Sequence, residues 1–295
     1  MSISIDEYIQ QGKEAIEQEL KNLFVHKNYP PILHESMKYS LFAGGKRLRP
    51  ILLFASYDTF QKDTKKVYKT AAALEMIHTY SLIHDDLPAM DDDDYRRGEL
   101  TNHKKFDEAT AILAGDALLT YSFEVIADDP LLTNEEKVFI IQSLAYASGP
   151  EGMVAGQILD IEGETKSLSL QQLEKIHELK TGRLINFAIT AGAYLANVTG
   201  ERLKHLQQFA HYLGLIFQVQ DDILDVIGDP EKLGKPVGSD EDKDKSTYPN
   251  LLGLDGAKEQ KNVYEQKAIQ ALKEAKVNEE SYLFELLYYF GQRDH

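Results

Sequence analysis

Two aspartate clusters, each closing a long apolar stretch, constrain this chain more than any other feature. Asp85, Asp86 and Asp91 to Asp94 crowd six carboxylates into ten residues, with Arg96 and Arg97 close behind, and Asp221, Asp222 and Asp225 form a second cluster far down the chain. Carboxylates this close repel one another. Asp221 and Asp225, four residues apart, share a helix face, and the lead-in of Leu213, Leu215, Ile216, Phe217 and Val219 makes that helix largely buried. A buried helix carries three aspartates only if something cationic meets them. Hard cations such as Mg²⁺ take one or two carboxylates together with substrate phosphates. Asp85 and Asp91 would diverge on an ideal helix, but Pro88 between them ends or distorts it, so Asp91 can swing back. The expectation is that the two clusters face each other and hold divalent metal around a diphosphate. Taken singly, Asp91 to Asp94 would be an ordinary solvated charge run, and one Asp-Asp-x-x-Asp arises by chance in many helices. The pair carries the argument.

The hydrophobic spacing is helical almost throughout. It predicts helices over 5–25 (capped by Ser4), 32–43, 51–60 with Pro50 near its start, 65–87, 107–127, 134–148 behind a Thr133–Glu136 capping box, 151–163, 169–195, 200–227, 255–276 and 279–291. Residues 228–247, rich in Gly, Asp and Lys, read as a mobile loop. No run of alternating β-branched residues stands out. The fold expected is all-α: one domain over 1–295, a helical bundle around a deep central cavity.

With 48 acidic against 32 basic residues the net charge is −16, which argues against nucleic acid or an anionic membrane as the main partner. There is no cysteine, so neither disulfides nor thiolate metal sites enter, and a reducing, cytoplasmic setting is expected. No signal peptide is visible at the N-terminus, and no run approaches the ~20 apolar residues of a membrane span.

Three further groups are chemically suggestive. Gly44-Gly45-Lys46-Arg47-Leu48-Arg49-Pro50 sets three cations at a loop-to-helix junction, where amides and helix dipole favour an anion; a basic surface turn is the plainer alternative. His78 lies two turns before Asp85 on about the same face, and His84 sits beside it. Lys180-Thr181-Gly182-Arg183 interrupts an apolar helix, and Lys235 and Lys245 bracket the acidic loop; each alone would be a surface charge.

Together these residues resemble the trans-prenyltransferases, the short-chain polyprenyl diphosphate synthases, and within them the bacterial farnesyl branch. Asp85 to Asp91 is similar to the first Asp-rich motif in its bacterial form with two extra residues, and Asp221 to Asp225 to the second. Gly45 to Pro50, Gly156 to Asp160, Lys180 to Gly182 and Phe217 to Asp222 follow the family's blocks in order. The resemblance implies three Mg²⁺ held by Asp85, Asp86, Asp91, Asp221 and Asp225. It gives the allylic diphosphate (dimethylallyl or geranyl) to Arg96, Lys180, Gln218 and Lys235, with Thr181 and Lys245 nearby. Isopentenyl diphosphate falls to Gly45, Lys46, Arg49, His78 and Arg97. It further implies catalytic roles for Asp85, Asp91, Arg96, Lys180, Asp221, Asp222 and Lys235, a homodimer, and a product floor at Tyr80, with small Ser81 beside it, that stops growth at C15. A C20 synthase is the alternative; a terpene cyclase or a catalytically inactive partner subunit stands further off.

Overall fold

The computed structural model describes residues 3–25, 29–164, 166–228 and 246–292. Lys235, Lys245 and most of the expected loop therefore lie outside the described residues. The chain forms α1 (Ile5–Leu23), α2 (Pro31–Leu41), α3 (Leu48–Asp58), α4 (Tyr68–Asp85), β1 (Tyr95–Arg96), β2 (Glu99–Leu100), α5 (Asn102–Lys105), α6 (Glu108–Ala127), α7 (Asn134–Ser148), α8 (Met153–Gly163), α9 (Leu170–His177), α10 (Arg183–Leu195), α11 (Gly200–Ile227), α12 (Tyr248–Glu274) and α13 (Tyr282–Gln292). The fold is all-α; among the described residues the strands are a single antiparallel ribbon of two residues each.

Local chemistry sets the helix starts. The Ser4 hydroxyl accepts from the Glu7 amide while the Glu7 carboxylate accepts from the Ser4 amide, so orphan donors at the first turn are satisfied reciprocally. Thr133 with Glu136 and Ser169 with Gln172 repeat the device, and Asp107 caps α6 through the Thr110 amide at 2.8 Å.

Several elements differ from the sequence expectation. Helix α3 starts at Leu48, which puts Pro50 in its third position, where first-turn amides have no intrahelical partner to lose. The helix expected over 169–195 is two helices joined by a π-helical turn, Glu178–Gly182. The stretch before α4 opens as a 3₁₀ turn, Thr64–Val67. Helix α12 begins at Tyr248, well before the expected start, with Gly253 non-helical at φ 73° inside it. The β ribbon, too short for a periodic signal, turns at Arg97 and Gly98 with φ of 56° and 82°, the left-handed pair of a type I′ hairpin turn.

Two compact units partition the chain: residues 1–54 with 63–141, and 55–62 with 142–295. In the first, α4 is the central element. Thr70 to Ile77, Thr79, Tyr80 and Ile83 are all buried, as befits a helix covered on every side, and α1, α2 and α6 pack on it. Helix α6 is, by length and composition, apolar enough to cross a membrane, contrary to expectation; Asp116 interrupts it, and Ala111, Ala114, Gly115, Leu118 and Ser122 form a buried side of a helix that packs on α4. In the second unit, α11 lies against α10, α12, α13 and the π-turn.

Candidate active site

In the first unit, the basic loop and the hairpin meet on α4. Arg49 Nη1 stands 3.2 Å from His78 Nε2. A guanidinium only donates, so Nε2 accepts and the ring proton sits on Nδ1. Burial, reinforced by the charges of Arg49, Arg97, Arg96 and Arg47, holds the His78 pKa well below the usual imidazole value; the ring is neutral. Arg97 donates to the Gly44 carbonyl, and its guanidinium lies across Gly45. A Cβ at Gly45 would come within 2.7 Å of it, at a backbone φ of 120°. Gly45, Arg49, His78 and Arg97 are thus brought together, with Lys46 half-buried on the same loop.

The acidic motif follows at the end of α4. The helix stops at Asp85, and the Asp91 amide donates back to the Asp85 carbonyl at 2.9 Å while Asp92 and Met90 bond to Leu87, closing a loop around Pro88. Asp85 and Asp91 are half-buried. Asp86 is 3% exposed and takes Arg96 through Nε at 2.7 Å and Nη2 at 2.5 Å. Burial raises its pKa, with Arg96 working against that rise. Tyr80, one turn before His84, sets its ring edge-on to that imidazole at 5.7 Å; burial and then the Asp85 charge push its pKa to about 12. The Ser81 hydroxyl is turned back to the His78 carbonyl.

The donor set suits a hard divalent cation, since it consists of carboxylate oxygens only. Among the described residues no three Asp, Glu or His side chains stand together as a metal cage. A Mg²⁺ completed by substrate phosphates needs only one or two carboxylates at a time. Asp86 is engaged with Arg96.

In the second unit, Lys180 and Thr181 project from the π-turn. Lys180 Nζ meets Asp160 at 2.6 Å, and Thr181 Oγ1 donates to Gln218 at 3.2 Å. With Asp222, His177 and Thr247 they line a cavity of about 150 Å³. Asp221 is half-buried and Asp225 is buried. Asp222 is buried too, accepting the Tyr248 amide at 2.9 Å, so it ties α11 to the start of α12. His177 stacks on Tyr248, and burial lowers its pKa to about 3.

Sequence reasoning passed over two partners. Glu75, in the middle of the apolar run Ala71 to Ile77, binds Arg47; a lone charge inside an apolar helix was the available signal. Asp160, the partner of Lys180, was noted only as part of a motif.

A model of the polyprenyl synthetase family matches residues 30–287. The chain is 47% identical to farnesyl diphosphate synthase of Geobacillus stearothermophilus over 99% of both chains. It is 43% identical to the chloroplastic geranylgeranyl pyrophosphate synthase of Capsicum annuum, over 97% of this chain and 78% of that one. Its fold is similar to the crystal structure of geranyltransferase from Helicobacter pylori complexed with magnesium and isoprenyl diphosphate, with a TM-score of 0.81, 36% identity and 98% of each chain covered.

Proposed function

The chain belongs to the polyprenyl synthetase family, and on that premise we propose that it is a prenyltransferase that makes (2E,6E)-farnesyl diphosphate, adding isopentenyl diphosphate head-to-tail to dimethylallyl and then geranyl diphosphate. The observation that carries the reading is two unlike sites on one helix. On α4, His78 with Arg49 offers an anion site, and two turns on begins the acidic motif with Arg96. A condensation of two diphosphates needs both; a terpene cyclase binds one diphosphate and needs no basic loop.

Lys46, Arg49, His78 and Arg97 hold the diphosphate of isopentenyl diphosphate, as guanidinium forks suit phosphate oxygens. Neutral His78 fixes Arg49 through Nε2 and keeps Nδ1–H to donate. Arg96, Lys180, Thr181 and Gln218 serve the allylic diphosphate, with Lys235 and Lys245 assigned to it from the motif alone. Asp85, Asp86, Asp91, Asp221 and Asp225 are the ligands for three Mg²⁺, which when bound would neutralise charge on the departing pyrophosphate. The allylic C1–O bond breaks with its electron pair leaving on pyrophosphate, the isopentenyl double bond attacks C1, and the proton lost from C2 passes to pyrophosphate. Arg96 and Lys180 stabilise that leaving charge from fixed positions. Tyr80 ends the hydrocarbon space at C15.

The deciding measurement is product analysis of the purified chain fed geranyl and isopentenyl diphosphates, with and without Mg²⁺. Farnesol after phosphatase treatment, lost on chelation, is expected. Geranylgeraniol as main product would move the assignment to C20, consumption of farnesyl diphosphate without isopentenyl diphosphate would make it a cyclase, and no turnover would fit an inactive subunit. The chain forms one synthase domain over 1–295 and pairs as a homodimer, supported by Ile112 and Leu113, which α6 leaves 42% and 58% exposed; light scattering at twice the chain mass checks the latter.

A further inference from the structure

Of the three cations in the basic loop, Arg47 turns inward. It is 3% exposed, takes a left-handed φ of 54°, and donates through Nη2 to the Leu41 carbonyl at 2.6 Å and through Nη1 to Glu75 Oε1 at 2.6 Å. Glu75 is 2% exposed, in the most apolar part of α4. One turn along the same helix, His78 receives Arg49. The loop is therefore pinned to α4 by two rungs, Arg47 on Glu75 and Arg49 on His78, which fix the backbone of residues 47–49 from both ends. Glu17 of α1 approaches Arg47 Nε at 4.0 Å.

We propose that Glu75 is a positioning residue for the isopentenyl diphosphate site: through Arg47 it fixes the basic loop so that Lys46 and Arg49 are aimed before the substrate arrives. The proposal rests on the reading of that loop as the isopentenyl diphosphate site. Glu75 touches no substrate group. An unsupported loop bearing Lys46, Arg47 and Arg49 beside Arg97 would splay from like-charge repulsion, and each binding event would have to order it. A buried pair also makes the arrangement all-or-none, because removing one partner leaves an uncompensated charge in the interior.

The sign of the effect separates positioning from simple charge balance. Removing a carboxylate from a cationic cluster would, by charge alone, tighten binding of an anion. Loss of a strut weakens it. Steady-state kinetics of Glu75→Gln with each substrate varied is the test. The Michaelis constant for isopentenyl diphosphate should rise about tenfold or more while that for geranyl diphosphate stays within about twofold. Arg47→Lys, which keeps the charge but loses the fork that spans Glu75 and Leu41, should give the same split and stands in if the Gln variant does not fold. A lower or unchanged constant for isopentenyl diphosphate in both variants, whatever the change in melting temperature, overturns the proposal. Arg49→Ala is the control: if it too leaves that constant unchanged, the reading of the loop fails. If it raises the constant and the Glu75 and Arg47 variants do not, the strut alone fails.

Discussion

On the proposed reading, Tyr80 is the side chain that sets the product. Its ring is buried, lies five residues before Asp85, and is braced edge-on by His84, so it presents a rigid surface rather than a flexible one. Truncation would remove the ring and leave the space it fills. Tyr80→Ala is expected to shift the main product from C15 to C20 or longer by chromatography of the dephosphorylated alcohols; an unchanged chain length would remove Tyr80 from the floor. Gly45 is a second single-residue constraint. A Cβ there would collide with the Arg97 guanidinium at 2.7 Å on a backbone only glycine adopts freely. Gly45→Ala should therefore raise the Michaelis constant for isopentenyl diphosphate by about tenfold or more, with a much smaller change for the allylic substrate. At this scale the sequence was legible by residue type and not by direction. Lys46, Arg47 and Arg49 look alike as letters, and only packing separates inward Arg47 from the other two. Asp222 likewise reads as one more motif carboxylate, yet it is turned to the Tyr248 amide.

Among the elements, α8 and the π-turn make a tight joint. Gly156 faces the turn so closely that a Cβ would sit 2.2 Å from the Lys180 amide nitrogen and 2.6 Å from its Cα. One turn later on the same face Asp160 takes the Lys180 ammonium. A single helix thus holds Lys180 by backbone and by side chain. Backbone contacts that short cannot be relieved by a rotamer change, so Gly156→Ala must displace the π-turn and Lys180 and Thr181 with it. The expected result is a rise of about tenfold in the Michaelis constant for geranyl diphosphate, a value for isopentenyl diphosphate that barely moves, and a lowered melting temperature. A loss of stability alone would leave Lys180 without this support. The helix starts at Ser4 and Thr133 were legible because both are caps with local partners; Asp107 and Ser169 prove to be caps of the same kind. The π-turn was not legible: its extra residue shifts the phase of the apolar pattern, but the helix after it is buried on nearly every face and has no narrow stripe to show the shift. The two-residue strands were too short to show any period.

For the whole molecule, acid should be destabilising chiefly through two half-buried residues, one in each unit, with His211 shifted in the same direction by burial. Burial lowers the pKa of His78, with Arg49, Arg97, Arg96 and Arg47 adding to it, and burial lowers that of His177 to about 3. The Asp160 charge opposes the second shift and Lys180 reinforces it. In the unfolded chain both rings titrate near 6.5. Between the folded and unfolded values the unfolded state binds more protons, so stability rises with pH there and is level above about 6.5. For His177 the cost reaches about 2 kcal/mol by pH 5, at about 1.4 kcal/mol per pH unit below its unfolded pKa, and the His78 ring acts in the same direction. If the chain unfolds as one domain, both losses act on a single transition. Melting curves should then show one cooperative step whose midpoint falls from pH 7 to pH 5. The fall should shrink in His78→Gln and in His177→Phe, the latter keeping the face stacked on Tyr248, and shrink further in the double variant. Two separated transitions, each responding to only one substitution, would mean instead that the units melt independently. A wild-type midpoint no lower at pH 5 than at pH 7 would mean that neither ring is held neutral by the fold.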